Sequence, residues 1–424
     1  MNKASNAVRT AAEYEEIHLD NGLTVLVKEM PDFCGVHAVY STAFGSIESG
    51  FIADGKKYDL PAGIAHFLEH KMFENEDGDA FELYAKTGAS ANAYTSFDKT
   101  SYIFSATDNI DASLDILLSF VSHPYFTKET VLKEQGIIGQ EIQMYDDSPS
   151  WRLLFAITGA LYHNHPLRVD IAGTVETIAE ITPELLYACT DAFYRPENMV
   201  LAAAGNITKA QLLAACERAG IAEKKGEVVR LPKAEPQEIN QKETELYMSV
   251  SKPLLGIGFK EKPSIGEEFK NEIICDLLTD LIIGDMTPLY RELYDEGLIS
   301  ADFSGELLNV DGAFAILFSG ETQEPEEVRS RLFAEIELLR ENGVPKEVFT
   351  LCKNALYGEL VSNLENVDDM ASGMATVYFK HRTMYDEIQA LAAVTVEDVD
   401  ELLQTVLRRE HSASVIIRPI EEEE

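Results

Sequence analysis

The feature that most narrows the fold of this chain is a repeat of half its own length. Ile181-Thr182-Pro183-Glu184, followed by Phe193-Tyr194-Arg195 and the apolar run 199–204, is echoed 213 residues later by Val394-Thr395-Val396-Glu397, then Val406-Leu407-Arg408, then 414–417. Each copy opens on a Thr suited to cap a helix, continues through the helix and closes on a short apolar run typical of a buried strand. A chain of 424 residues, 46% of them hydrophobic, is also too long for one core. Two copies of one α/β unit follow, over residues 1–225 and 239–424. A linker over 226–238 joins them, where charged residues, Pro232 and Pro236 interrupt the apolar patterning. In the first unit, 23–27, 36–40 and 102–105 read as strands, alternating with helical stretches such as 111–121. The expectation is an α+β protein of two similar domains, each a mostly antiparallel sheet with helices packed on one face.

The first unit carries His66-Phe67-Leu68-Glu69-His70, in the order H-x-x-E-H. On a helix, residues four apart lie one turn above each other, so two imidazoles can close on one metal while Glu69 leans over the same spot. Pro61 and Gly63 suit a helix entry, and Ile64, Ala65, Phe67 and Leu68 supply an apolar wall. A catalytic zinc takes three protein ligands and leaves the fourth position to water, so a third ligand is expected on another element. Glu141 is the choice, on a helical pattern over 127–145, and Glu134 stands two turns before it on the same face. One carboxylate can bind zinc while the other accepts the free ring N–H of a ligand histidine. Gly136 and Gly139 weaken this helix by about 1 kcal/mol each relative to Ala, which suggests close packing against another helix. In this site one zinc per chain would acidify a water, and Glu69 would take its proton. A structural zinc would instead need a fourth protein ligand, for which Cys34 with His37, or His163 and His165, are the available residues.

These residues resemble the pitrilysin/insulinase family of zinc peptidases, in particular its half-length members related to mitochondrial processing peptidase. Glu69-His70 within the motif, the later pair Glu134 and Glu141, and the stretch Gly88-Ala89-Ser90-Ala91-Asn92-Ala93-Tyr94-Thr95 carry the likeness. So do Val169-Asp170-Ile171-Ala172-Gly173-Thr174 and Phe193-Tyr194-Arg195-Pro196-Glu197-Asn198-Met199, so that it covers most of residues 15–210. The resemblance implies a zinc endopeptidase with Glu69 and Glu134 in catalytic support, His66, His70 and Glu141 on the metal, and Asn92 and Ala93 receiving the substrate. Strand candidates 91–95 and 101–105 could present an edge to an extended peptide. The family also draws an Arg and a Tyr from a zinc-free half. Here Arg291 matches the Arg, but Leu298 stands where the Tyr is expected, and a shifted register gives Leu293 and Ser300; Tyr290 and Tyr294 are the possible substitutes, although a Tyr in an apolar helix is more often core. A zinc-free homologous partner chain supplying the pair is therefore the leading expectation, and a homodimer using Arg291 the second. The rival from another class is a non-catalytic, peptide-binding or scaffold subunit, which in this family tends to have lost the zinc residues.

Composition sets the outer limits. A net charge of −38 argues against nucleic acid as a partner and suits solubility or attraction of basic peptides. No apolar run approaches the roughly 20 residues that span a bilayer, and residues 1–16 lack the apolar core of a signal peptide, so the expected location is cytoplasmic. Cys34, Cys189, Cys216, Cys275 and Cys352 are scattered and odd in number, as expected of reduced, buried thiols.

Overall fold

A computed structural model describes residues 3–76 and 78–420. Its strands begin with β1 (Glu15–His18), β2 (Thr24–Glu29), β3 (Val36–Thr42), β4 (Gly50–Ala53), β5 (Lys56–Asp59), β6 (Glu74–Asn75), β7 (Gly78–Asp79), β8 (Ser90–Thr95), β9 (Thr100–Ala106) and β10 (Met199–Gly205). Further along come β11 (Val228–Arg230), β12 (Glu243–Met248), β13 (Leu254–Glu261), β14 (Ser304–Val310), β15 (Ala313–Glu321) and β16 (Ser412–Pro419).

One main sheet runs β1-β2-β10-β3-β9-β8 and the other β12-β16-β13-β15-β14. In each, one pair is parallel, β2 with β10 and β12 with β16, and the remaining neighbours are antiparallel. Leaving β1 aside, the two orders match strand for strand, so the sequence repeat is a repeat of topology. The central strands β3, β10 and β13 are buried at every position, which is why their apolar runs are continuous rather than alternating. The edge strands β8 and β12 alternate between exposed and half-buried residues.

Helices cover the first sheet from two sides. Ile110–Ser122, anticipated over 111–121, packs on β9 and β3, with Tyr40 of β3 bonded to Ser122. Val367–Phe379 packs on β10 and β3, and brings Asp368 to 3.3 Å from His37. His37 and Tyr40 stand at positions of opposite parity in β3 and so point to opposite faces. Reciprocally, Pro149–Leu161 lies on β13 and β16 of the second sheet. It fits closely because Gly256 and Gly258 carry no side chain: a methyl at Gly256 would fall 2.2 Å from Ile157 Cδ1. The first compact unit thus gathers the residues up to 142 with 170–232 and 360–388, and the second gathers 143–169, 233–359 and 389 onward. The units are therefore not contiguous halves: residues 143–169 belong with the later sheet and 360–388 with the earlier one.

The linker is tied down by charge. Glu235 accepts hydrogen bonds from the backbone N–H groups of His163, Asn164 and His165 at 2.9, 2.7 and 2.8 Å, and from Lys260 Nζ at 2.6 Å. Burial opposes its charge, but these four donors overcome it and hold the carboxyl at a pKa of about 2. The stretch weighed as a source of a fourth zinc ligand therefore serves this knot, and the His165 ring is further engaged by Leu167 N and Asp311 O. His37 likewise bonds Ser105, and Cys34 is exposed rather than buried. Among the described residues, no helix is long and apolar enough to cross a membrane.

One buried acid gives a pH test of the second unit. Glu261, at the end of β13, is 5% exposed and accepts a 2.6 Å hydrogen bond from Leu407 N. Burial pushes its pKa from the ordinary 4.5 up to about 7, against the Leu407 N–H and the charges of Arg340 and Arg408. Between those values the folded chain holds a proton that the unfolded chain has released, so stability falls as pH rises toward 7 and stays low above it. Glu261→Gln keeps an acceptor for Leu407 without the charge. It is expected to raise stability at pH 8 by on the order of 2 kcal/mol and to change little at pH 4.5, read from denaturant midpoints. An equal effect at both pH values would contradict the assignment.

Candidate metal centre

The motif residues lie on the helix Ile64–Met72, which starts at Gly63 with φ of 89°. Only glycine suits this entry, because a methyl on Gly63 would meet Ala172 O at 2.3 Å and one on Gly173 would meet Ala62 O at 2.4 Å. The two glycine turns lock together, which gives the Val169–Thr174 stretch its place beside the motif. Ile64, Ala65, Phe67 and Leu68 are buried as expected and fix the roll of the helix. His66 and Glu69 are buried too, and His70 is half-buried.

Glu141, the expected third ligand, stands on the helix Lys128–Asp146, which buries Val131, Glu134, Ile138 and Ile142 along one stripe. Glu134 and Glu141, seven residues apart, therefore rise on neighbouring positions of the face turned to the motif helix. Gly136 and Gly139 do not mark a helix contact: a methyl at either would meet nothing within 4 Å. The expected close packing is absent there because both glycines lie on the side of the helix away from that stripe.

Ligand atoms of His66, His70 and Glu141 lie within 4.8 Å of one another. Glu141 Oε1 is 3.7 Å from His66 Nε2, and Oε2 is 3.4 Å from His70 Nε2. Ligands about 2.0–2.1 Å from a tetrahedral zinc stand roughly 3.4 Å apart, so two neutral imidazoles and a carboxylate at these separations fit the ion. On the far side of the ring, His70 Nδ1 is 3.2 Å from Glu134 Oε1, leaving Nε2 turned to Glu141. His66 Nδ1 is buried with no hydrogen-bond partner among the described residues.

Burial and neighbouring charges act differently on each group of the site. Burial, then the neighbouring His70, lowers His66 to a pKa of about 3, so its ring is neutral and free to ligate. For His70 burial acts downward, but the hydrogen bond that it donates to Glu134 and the charges of Glu69 and Glu141 prevail and raise it. Glu134 is pushed up by burial yet ends below the usual carboxylate range through its bond to His70 and the charges of His70, Lys71 and Lys133. Glu69 is raised, chiefly by burial, with Thr95 and His70 opposing. Its Oε2 accepts a 2.7 Å hydrogen bond from Thr95 Oγ1.

A cavity of about 560 Å³ opens beside Glu69 and His70, lined also by Phe73, Glu74, Phe81, Asn92, Ala93 and Ile137. Asn92 and Ala93 thus stand on its wall, on β8, whose outer edge pairs with no strand among the described residues. Asn92 is exposed, and its Oδ1 accepts from Ala93 N at 2.9 Å. Arg291 is exposed on the helix Pro288–Asp295 of the second unit. Tyr290 and Tyr294 on that helix stack with ring centroids 5.9 Å apart, and Tyr294 is 49% exposed, so that Tyr is not core. Two further residues were not singled out from the sequence. Lys71 is fully buried and paired with Glu74 beneath the motif, and Thr95 bonds Glu69. The alternation of β8, which turns Ala91, Ala93 and Thr95 to one face, is the signal that could have found Thr95.

The chain is similar to known proteins along most of its length. The sequence matches the family model described as Insulinase (Peptidase family M16) over residues 41–175, and that described as Peptidase M16 inactive domain over residues 180–356. It is 37% identical over 416 residues to an uncharacterized zinc protease of Bacillus subtilis, YmfH, across 92% of this chain and 95% of that protein. The crystal structure of a putative M16-like peptidase from Alicyclobacillus acidocaldarius is similar at a TM-score of 0.91 and 32% identity, covering 96% of this chain and 98% of that one. Pitrilysin has the same fold at a TM-score of 0.75 and 19% identity, with 97% of this chain matched to 45% of that protein.

Proposed function

Because this chain belongs to the insulinase family of peptidases, family M16, we propose that it is a zinc-dependent endopeptidase acting on peptides or short unfolded segments. The observation that carries the reading is the convergence of two imidazole nitrogens and the Glu141 carboxylate, with Glu69 adjacent in the same helix. Zinc bound by His66, His70 and Glu141 would supply Lewis acidity at the peptide carbonyl and acidify the attacking water. Glu69 takes the proton of that water as its oxygen adds to the carbonyl carbon. The C–N bond then breaks, and Glu69 returns the proton to the leaving amine nitrogen. Glu134 holds the ring of His70 in place through Nδ1. The free edge of β8 offers backbone groups to an extended peptide, with Asn92 and Ala93 beside it. Glu74, Glu76 and Asp79 around the cavity, in a chain of net charge −38, suit a basic peptide.

In this reading a second subunit completes the chamber. A zinc-free homologue supplying the Arg and Tyr that Leu298 interrupts here is the first choice. The homodimer is favoured by one observation, the exposure of Arg291 and Tyr294 on a single helix. The unpaired cysteines suit a reducing compartment such as the cytoplasm. A peptide library incubated with the purified chain, alone and mixed with a homologue lacking the H-x-x-E-H motif, tests both points. Cleavage is expected to vanish with a chelator and to rise strongly on mixing. Full activity from the chain alone would sink the heterodimer, and cleavage indifferent to the chelator would sink the zinc mechanism.

A further inference from the structure

The geometry points to Thr95 as the positioning residue of the base, fixing which oxygen of Glu69 carries the proton; this rests on the peptidase reading above. Thr95 is the last residue of β8, paired in register with Thr100 at the start of β9. Its Oγ1 lies 2.7 Å from Glu69 Oε2 and 3.3 Å from Thr100 Oγ1. Thr100 is fully buried, and its own hydroxyl hydrogen is directed to Phe44 O at 2.8 Å. Each hydroxyl has one hydrogen to give. Thr100 gives its hydrogen to Phe44, and that of Thr95 goes to the carboxylate of Glu69, the nearer and charged acceptor, rather than to Thr100 Oγ1, so the strand end that carries Thr95 holds a single directed donor against Oε2.

Two consequences follow for the reaction. The terminal torsion of a glutamate side chain is soft, and a fixed donor on Oε2 removes that freedom. Oε2 remains an acceptor both before and after Glu69 takes a proton, so the proton drawn from water rides on Oε1 and leaves from Oε1 to the amine nitrogen. Thr95 is also part of the strand whose Asn92 and Ala93 line the cavity, so the surface offered to the peptide and the anchor of the base are one element.

Thr95→Val removes the hydroxyl at nearly constant shape, and Thr95→Ser keeps the hydroxyl while losing the methyl. Both are compared with the zinc-loaded wild-type chain, with its partner if one is required, on one fluorogenic peptide that the wild type cleaves. Thr95→Val is expected to lower kcat by about 10–100-fold with KM, zinc stoichiometry and Tm near wild type, as a misaligned base requires. Thr95→Ser is expected to retain most of kcat. A crystal structure of zinc-loaded Thr95→Val should show the Glu69 carboxylate turned from its wild-type orientation. Wild-type kcat in the Val variant, a loss that follows KM, zinc or Tm, failure of Ser to rescue, or an unmoved carboxylate would each overturn the inference while leaving zinc-dependent cleavage by the wild type intact. Absence of zinc-dependent cleavage in the wild type would overturn the peptidase reading, and this one with it.

Discussion

Glu69→Gln is expected to keep one zinc per chain and to lower peptide hydrolysis by about 10²–10⁴-fold, the range a positioned general base contributes. The substitution preserves size and an acceptor for Thr95, so the 2.7 Å contact at Oε2 and the packing of the motif helix are retained. What it removes is the ability to take a proton from water and return it to the leaving amine. His66, His70 and Glu141 are untouched, so metal content measured by atomic absorption should match wild type. The loss should fall on kcat, because the edge of β8 and the cavity wall still receive the peptide. Hydrolysis at the wild-type rate in this variant would remove Glu69 from the mechanism.

Glu141→Gln, the same chemical change one helix away, is expected to fail differently. An amide in place of the carboxylate leaves two imidazoles to hold the ion, where a catalytic zinc needs three good donors. Changing even an outer partner of a zinc ligand costs about 10–100-fold in affinity, so loss of the ligand itself should cost at least about 100-fold. After dialysis against a weak chelator, zinc should fall well below one per chain and hydrolysis should fall with it. The fold should survive, since Glu141 is half-exposed and the helix is anchored by Val131, Ile138 and Ile142. Full zinc occupancy in this variant would show that the third ligand lies elsewhere. Together the pair separates base from ligand: one isosteric change silences a loaded site, and the other empties it.

The grouping of His66, His70 and Glu141 was legible in advance because its parts obey local rules. Four-residue spacing sets His66 over His70, and seven-residue spacing sets Glu134 and Glu141 on one face. Gly136 and Gly139 misled because a glycine in a helix has the same local cost whether it faces a neighbour or open space. Thr95 escaped because the alternation of β8 gives only the face it shares with Ala91 and Ala93; its contact with Glu69, 26 residues away, comes from packing. The repeat announced two similar sheets, yet an apolar helical stripe is equally suited to either. Hence neither Pro149–Leu161 nor Val367–Phe379 could be given its sheet from periodicity.

The sequence by itself determined the family, the paired α/β units and which side chains are candidates for zinc, since these rest on residue type and on spacing within single helices and strands. Only the tertiary structure decided that Glu141 meets both histidines, that Glu134 bonds His70 rather than His66, and that Thr95 bonds Glu69. Those choices belong to the packing of two helices and an edge strand far apart in the chain. Periodicity gives the direction of a side chain on its own element, and packing alone gives the atom that it meets.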